Sequence, residues 1–84
     1  MFSLLFSNQA EKFLDKCDKS LRNRILEKIK LLTTEPVPHN SVRVQGEDNS
    51  FRIRIGDYRV LYDVYWTDGK IFIAKVDKRS RVYD

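Results

Sequence analysis

The segment Phe51-Arg-Ile-Arg-Ile-Gly-Asp-Tyr-Arg-Val-Leu-Tyr62 leaves this chain few ways to fold. Phe51, Ile53 and Ile55 alternate with Arg52 and Arg54, the period of a strand with one buried and one cationic face. Gly56-Asp57 then suits a type II′ turn, which takes glycine first. Residues 58–66 read as the returning strand. A two-residue turn fixes register. It sets Arg54 opposite Arg59 and Arg52 opposite Leu61.

Like charges directly across a strand pair cost stability. At about 5 Å and an effective dielectric near 20, each adjacent pair costs on the order of a few kcal/mol before screening, and salt and solvent reduce this greatly. Asp68-Gly69 reads as a second two-residue turn, followed by a last strand over residues 70–76. That turn sets Leu61 opposite Val76 and Arg59 opposite Lys78. The expected row is Arg54, Arg59 and Lys78, with Arg52 beside it and no acid in it. A phosphate backbone reverses the sign of the repulsion, and arginine grips phosphate oxygens bidentately. The competing reading is a solvated strand face whose arginines pair with acids elsewhere.

Earlier in the chain, residues 2–6 read as a first strand. Asn8 and Glu11 have capping-box spacing. A short helix is expected over residues 9–16, with Ala10, Phe13 and Leu14 inward. Asp18 or Ser20 caps a second helix over residues 21–33, whose Leu21, Ile25, Ile29 and Leu32 fall at helical spacing. Its basic residues Arg22, Arg24, Lys28 and Lys30 read mainly as a solvated face. Pro36 and Pro38 end it. Val42 and Val44 alternate before a turn at residues 46–50. The expected fold is α+β: a small antiparallel meander with an N-terminal strand and a helical hairpin on one face, in the order β-α-α-β-β-β-β.

The 84 residues, 42% hydrophobic, suffice for one core and one domain, residues 1–84. A net charge of +4 favours anionic partners. The single cysteine, Cys17, excludes an internal disulfide and a Cys/His zinc spacing. No metal or other cofactor is expected. The apolar start, residues 1–6, is too short for a signal segment, and no run reaches membrane-spanning length. These features suggest a soluble, cytoplasmic protein without a membrane partner. His39 reads as an exposed loop residue, and Tyr65 and Trp66 as sheet packing. The end of the chain, Asp77-Lys-Arg-Ser-Arg-Val-Tyr-Asp84, adds Arg79, Arg81 and Tyr83. These can fold over the cationic face, with Tyr83 offering a stacking surface, or fray.

Phe51 to Tyr62 followed by Val76-Asp-Lys-Arg-Ser-Arg-Val-Tyr83 resembles the RelE/ParE toxin superfamily, whose pattern runs basic strand, Gly-x-Tyr-Arg-apolar-x-Tyr, then Val-x-His-Arg-x-x-Val-Tyr. The resemblance spans essentially the whole chain. It implies a RelE-like toxin of a toxin–antitoxin pair that cleaves mRNA in the ribosomal A site without a metal. It also implies an acidic, RelB-like antitoxin in a heteromeric complex. By resemblance, Arg52 and Arg54 line the RNA site, with Arg54 in the catalytic set, and Arg59 contacts the scissile phosphate. Arg79 stabilises transition-state charge or protonates the leaving group, and Tyr83 orients or stacks on the substrate. Lys78 and Arg81 are expected to contact RNA. Lys78 stands where many relatives carry His, and Arg52 and Arg54 where some active members carry Lys. Arginine stays protonated and makes a poor base. Two other readings remain open: a ParE-like inhibitor of DNA gyrase, and a catalytically inactive RNA-binding relative.

Overall fold

The computed structural model describes residues 1–78. Its elements are β1 (Ser3–Phe6), α1 (Asn8–Lys16), α2 (Lys19–Leu31), β2 (Val42–Arg43), β3 (Ser50–Ile55), β4 (Tyr58–Tyr65) and β5 (Lys70–Lys78). They form one sheet in the order β1-β5-β4-β3-β2, with α1 over β5 and β1 and α2 against β3. The element order is the expected one. The sheet is mixed rather than purely antiparallel, because β1 pairs parallel to β5, Ser3 opposite Lys70 through Phe6 opposite Ile73. Among the described residues, no helix is long and apolar enough to cross a membrane.

Local chemistry explains the helix starts. Ser7, not Asn8, caps α1: its Oγ accepts from the Ala10 amide at 3.0 Å. Asp18 caps α2 by accepting from the Leu21 amide at 2.8 Å. Each side chain satisfies an otherwise orphan donor of the first turn. The two helices are tied by Arg22, which does not belong to a solvated face. Its Nε donates to the Leu14 carbonyl at 2.7 Å, and its Nη2 to those of Asp15 and Cys17 at 3.2 Å each. These carbonyls lie at the end and cap of α1, where no following turn supplies an amide; that of Leu14 also accepts from Cys17 Sγ at 3.4 Å. Arg22→Ala is therefore expected to lower stability by about 1–2 kcal/mol. Urea unfolding of the two proteins checks it, and an unchanged midpoint would show that water serves those carbonyls equally well.

The core lies between the helices and one sheet face. Ala10, Ile25, Ile29, Val60, Val64, Ile71, Ile73 and Val76 are completely buried there. Tyr62 is buried among them, and its hydroxyl donates to the Pro36 carbonyl at 2.6 Å, pinning the segment that leaves α2. Burial pushes its pKa up from 10 to about 12, with a smaller opposing effect from a hydrogen bond to Ser41. A raised folded-state pKa means that the folded protein holds the proton more tightly. This contribution is therefore whole below pH 10 and is lost as pH rises through 12. Two pKa units correspond to about 2–3 kcal/mol. Thermal melts between pH 7 and 12 should show Tyr62→Phe starting lower by about 1 kcal/mol, yet losing less stability than the wild type above pH 10.

Candidate nucleic-acid interface

The β3–β4 hairpin has the expected register: Arg54 opposite Arg59, Arg52 opposite Leu61, and Ile55 opposite Tyr58 around the turn. Gly56 takes φ +60°, as a type II′ turn requires of its first central residue, and among the described residues no non-glycine has positive φ. Phe51, Ile53 and Ile55 face the core. Arg52 and Arg54 therefore share the opposite face, which carries no helix among the described residues. Arg54 is exposed and Arg52 half-buried. The Arg52 Nε is buried without a hydrogen-bond partner, an unsatisfied donor of the described structure. From α2, Arg24 leans over the turn, so close that a Cβ on Gly56 would lie 2.9 Å from its Nη2. Lys28 and Arg54 line a cavity of about 160 Å³ beside Leu31, Leu32 and Ile53.

The β4–β5 register differs from expectation. The loop comprises the four residues 66–69, closed by Tyr65 opposite Lys70, and not a two-residue turn at Asp68-Gly69. Trp66 meets the edge of Phe2, with ring centroids 5.7 Å apart. The pairing then slips at a bulge. Tyr62 faces Ile73 and Leu61 faces Lys75, so Ala74 is the extra residue. Beyond it Val60 faces Val76, Arg59 faces Asp77 and Tyr58 faces Lys78. The bulge keeps Val76 in the core after Ile71 and Ile73, and turns Lys75 and Asp77 onto the arginine face.

Two expectations are corrected by this slip. The row contains an acid, since Arg59 Nε donates to Asp77 Oδ1 at 3.0 Å. Lys75 Nζ forms an ion pair with the other oxygen, Asp77 Oδ2, at 3.6 Å. Lys78 is not in the row: it lies with Tyr58 and Phe13 in a groove of about 480 Å³ on the helix side, rimmed also by Lys12 and Lys16. The structure thus brings together Arg52, Arg54 and Arg59, and removes Lys78. It adds Lys75 and Asp77, which the reading from turns alone missed. The spacing Ile71, Ile73, Val76 (two, then three) was the available signal for the bulge. Arg79, Arg81 and Tyr83 lie outside the described residues.

This bulge is braced from α1. Where β1 stops, the Ser7 amide donates to the Ile73 carbonyl at 2.9 Å and Ser7 Oγ to the Ala74 carbonyl at 2.7 Å. Gln9 then clamps Val76 from both sides, accepting from its amide at 2.9 Å and donating to its carbonyl at 2.8 Å. The first turn of α1 replaces the missing neighbour strand and holds Lys75 and Asp77 in place.

Comparison with known proteins agrees with this architecture. The chain is 33% identical to the RelE1 protein of Methanocaldococcus jannaschii, over 98% of this chain and 94% of that protein. The toxin in a crystal structure of the archaeal RelE–RelB complex from Pyrococcus horikoshii is 34% identical, with a TM-score of 0.81 over 96% of this chain and 98% of that one. The isolated Escherichia coli RelE toxin shares the fold, with a TM-score of 0.86 at 21% identity over 99% of this chain and 89% of its own. Residues 4–83 match the family described as the ParE toxin of type II toxin–antitoxin systems, parDE. The chain therefore belongs to the RelE/ParE superfamily of type II toxins, and within it is of the RelE type.

Proposed function

We propose that this chain acts as a single toxin domain, residues 1–84, that cleaves mRNA on the ribosome and so stops translation in the cytoplasm. The observation that carries the reading is the Arg54–Arg59 pair, set directly across two strands on a face that carries no helix among the described residues, with Arg52 beside it. Such a face is costly for a protein with nothing anionic to bind. Arg54 and Arg59 are the groups to hold the scissile phosphate, and Arg52 and Arg81 the neighbouring ones. Arg79 and Tyr83, which follow β5 in the sequence, complete the set proposed by resemblance. Lys78, which lines the helix-side groove, is assigned to the margin of the set.

The reaction is attack of a ribose 2′-hydroxyl on the adjacent phosphorus, giving a 2′,3′-cyclic phosphate and a free 5′-hydroxyl. A metal-independent site of this kind works by positioning the in-line geometry and stabilising charge on the phosphorane oxygens. The proposed partner is an acidic, RelB-like antitoxin, which fits the net charge of +4 and the complexes in which the similar toxins were crystallised. Induced expression tests the reading. Growth arrest with loss of protein synthesis, and new 5′ ends within translated messages by primer extension, are expected. Intact messages with inhibited DNA supercoiling would instead support the gyrase-directed alternative, and an absence of any effect an inactive relative.

A further inference from the structure

We propose that Lys75, held beside Arg59 by Asp77, delivers the proton to the leaving 5′-oxygen. The inference rests on the RNA-cleavage reading above and deepens it.

Three observations carry it. The bulge at Ala74 turns Lys75 onto the arginine face, and the groups that brace this bulge, Ser7 and Gln9, are fixed by α1. Bulges commonly re-aim a side chain beside a working site. Lys75 and Arg59 grip the two oxygens of one carboxylate, at 3.6 and 3.0 Å. A phosphate group held by Arg59 therefore lies on the side where Lys75 is anchored. The Lys75 side chain stays half exposed while that of Asp77 is largely covered, so the ammonium remains open to a ligand and the carboxylate acts as its tether.

The chemistry of the face assigns the role. An alkoxide leaving from phosphorus needs a proton, and the other cations of the described row are arginines. A guanidinium holds its proton throughout the ordinary pH range, whereas a lysine ammonium gives its proton up more readily. An ammonium is thus the stronger acid. Lys78, the nearby alternative, faces the helix-side groove. In the step itself, the 2′-oxygen bonds to phosphorus as its proton passes to water. The P–O5′ bond breaks, its electron pair stays on O5′, and that oxygen takes a proton from Lys75 Nζ. The neutral amine regains a proton from solvent, so protons and charge balance.

The test uses ribosomes programmed with an mRNA whose cleaved linkage, mapped first with wild-type protein, carries either the natural 5′-oxygen or a bridging 5′-sulfur. Sulfur leaves without protonation. Lys75→Ala is expected to cut the oxygen substrate about a hundredfold more slowly than wild type, and the sulfur substrate within a few-fold of it. Lys75→Arg keeps the charge and should recover only part of the loss. Equal losses on the two substrates, or wild-type rates for either variant on oxygen, would overturn the role of Lys75 while leaving RNA cleavage standing. A wild-type protein that cuts neither substrate would remove both this inference and the reading beneath it.

Discussion

Arg59→Ala is expected to slow cleavage of ribosome-bound mRNA by about a hundredfold to a thousandfold, the range for removing one preorganised group from developing charge. The guanidinium is oriented by its bond from Nε to Asp77 at 3.0 Å, so on the proposed reading it meets the phosphate without first having to be positioned. The fold should survive, because the Arg59 side chain is not part of the core and Lys75 still answers the Asp77 carboxylate. The neighbouring Arg54→Ala makes the same claim from the other side. It should reduce cleavage, yet leave the protein equally or slightly more stable, by up to about 0.5 kcal/mol, since it removes a like-charge cross-strand pair. Single-turnover rates and thermal melts on the same preparations check both. A variant that lost activity only in proportion to lost folded protein would contradict the assignment.

The second large effect concerns stability. Gln9→Ala is expected to cost about 2–4 kcal/mol, because it leaves the amide and carbonyl of the fully buried Val76 without partners, each worth about 1–3 kcal/mol when unsatisfied. For a domain of this size that is a fall in melting temperature of roughly 10–20 °C. Amide hydrogen exchange should show the loss first at Val76, where β5 passes the end of β1. Gln9→Glu is the sharper control: it can still accept from the Val76 amide but, when ionised, faces the carbonyl with no donor. A melting temperature unchanged in Gln9→Ala would mean that β5 holds its bulge without help from α1.

These two residues mark the limit of what the chain discloses as a string. The Arg54–Arg59 pair was legible because Gly56-Asp57 is a turn with a single geometry, and a two-residue turn fixes the pairing of its strands. The next hairpin was not, because Asp68-Gly69 sits inside a wider loop whose Trp66 packs against Phe2, a contact between residues far apart in sequence. The two-residue difference in loop length is half undone by the bulge at Ala74, and a net slip of one residue exchanges the faces of β5. Lys78 therefore left the row and Asp77 entered it. The helices were legible from apolar spacing and caps, with Ser7 replacing Asn8 by one position. Arg22 was read as part of a solvated face, and Gln9 was given no role, because their partners are main-chain groups, which carry no sequence signature. The parallel β1–β5 pairing was hidden for the same reason.

The central claim is that the arginine face acts on RNA. Its most direct test is the rate of mRNA cleavage on purified programmed ribosomes by wild-type protein and by the Arg54→Ala/Arg59→Ala double variant, read by primer extension. The account predicts discrete cuts by the wild type, and a loss in the folded double variant of at least a hundredfold. Cuts at an unchanged rate and position in the double variant would contradict it.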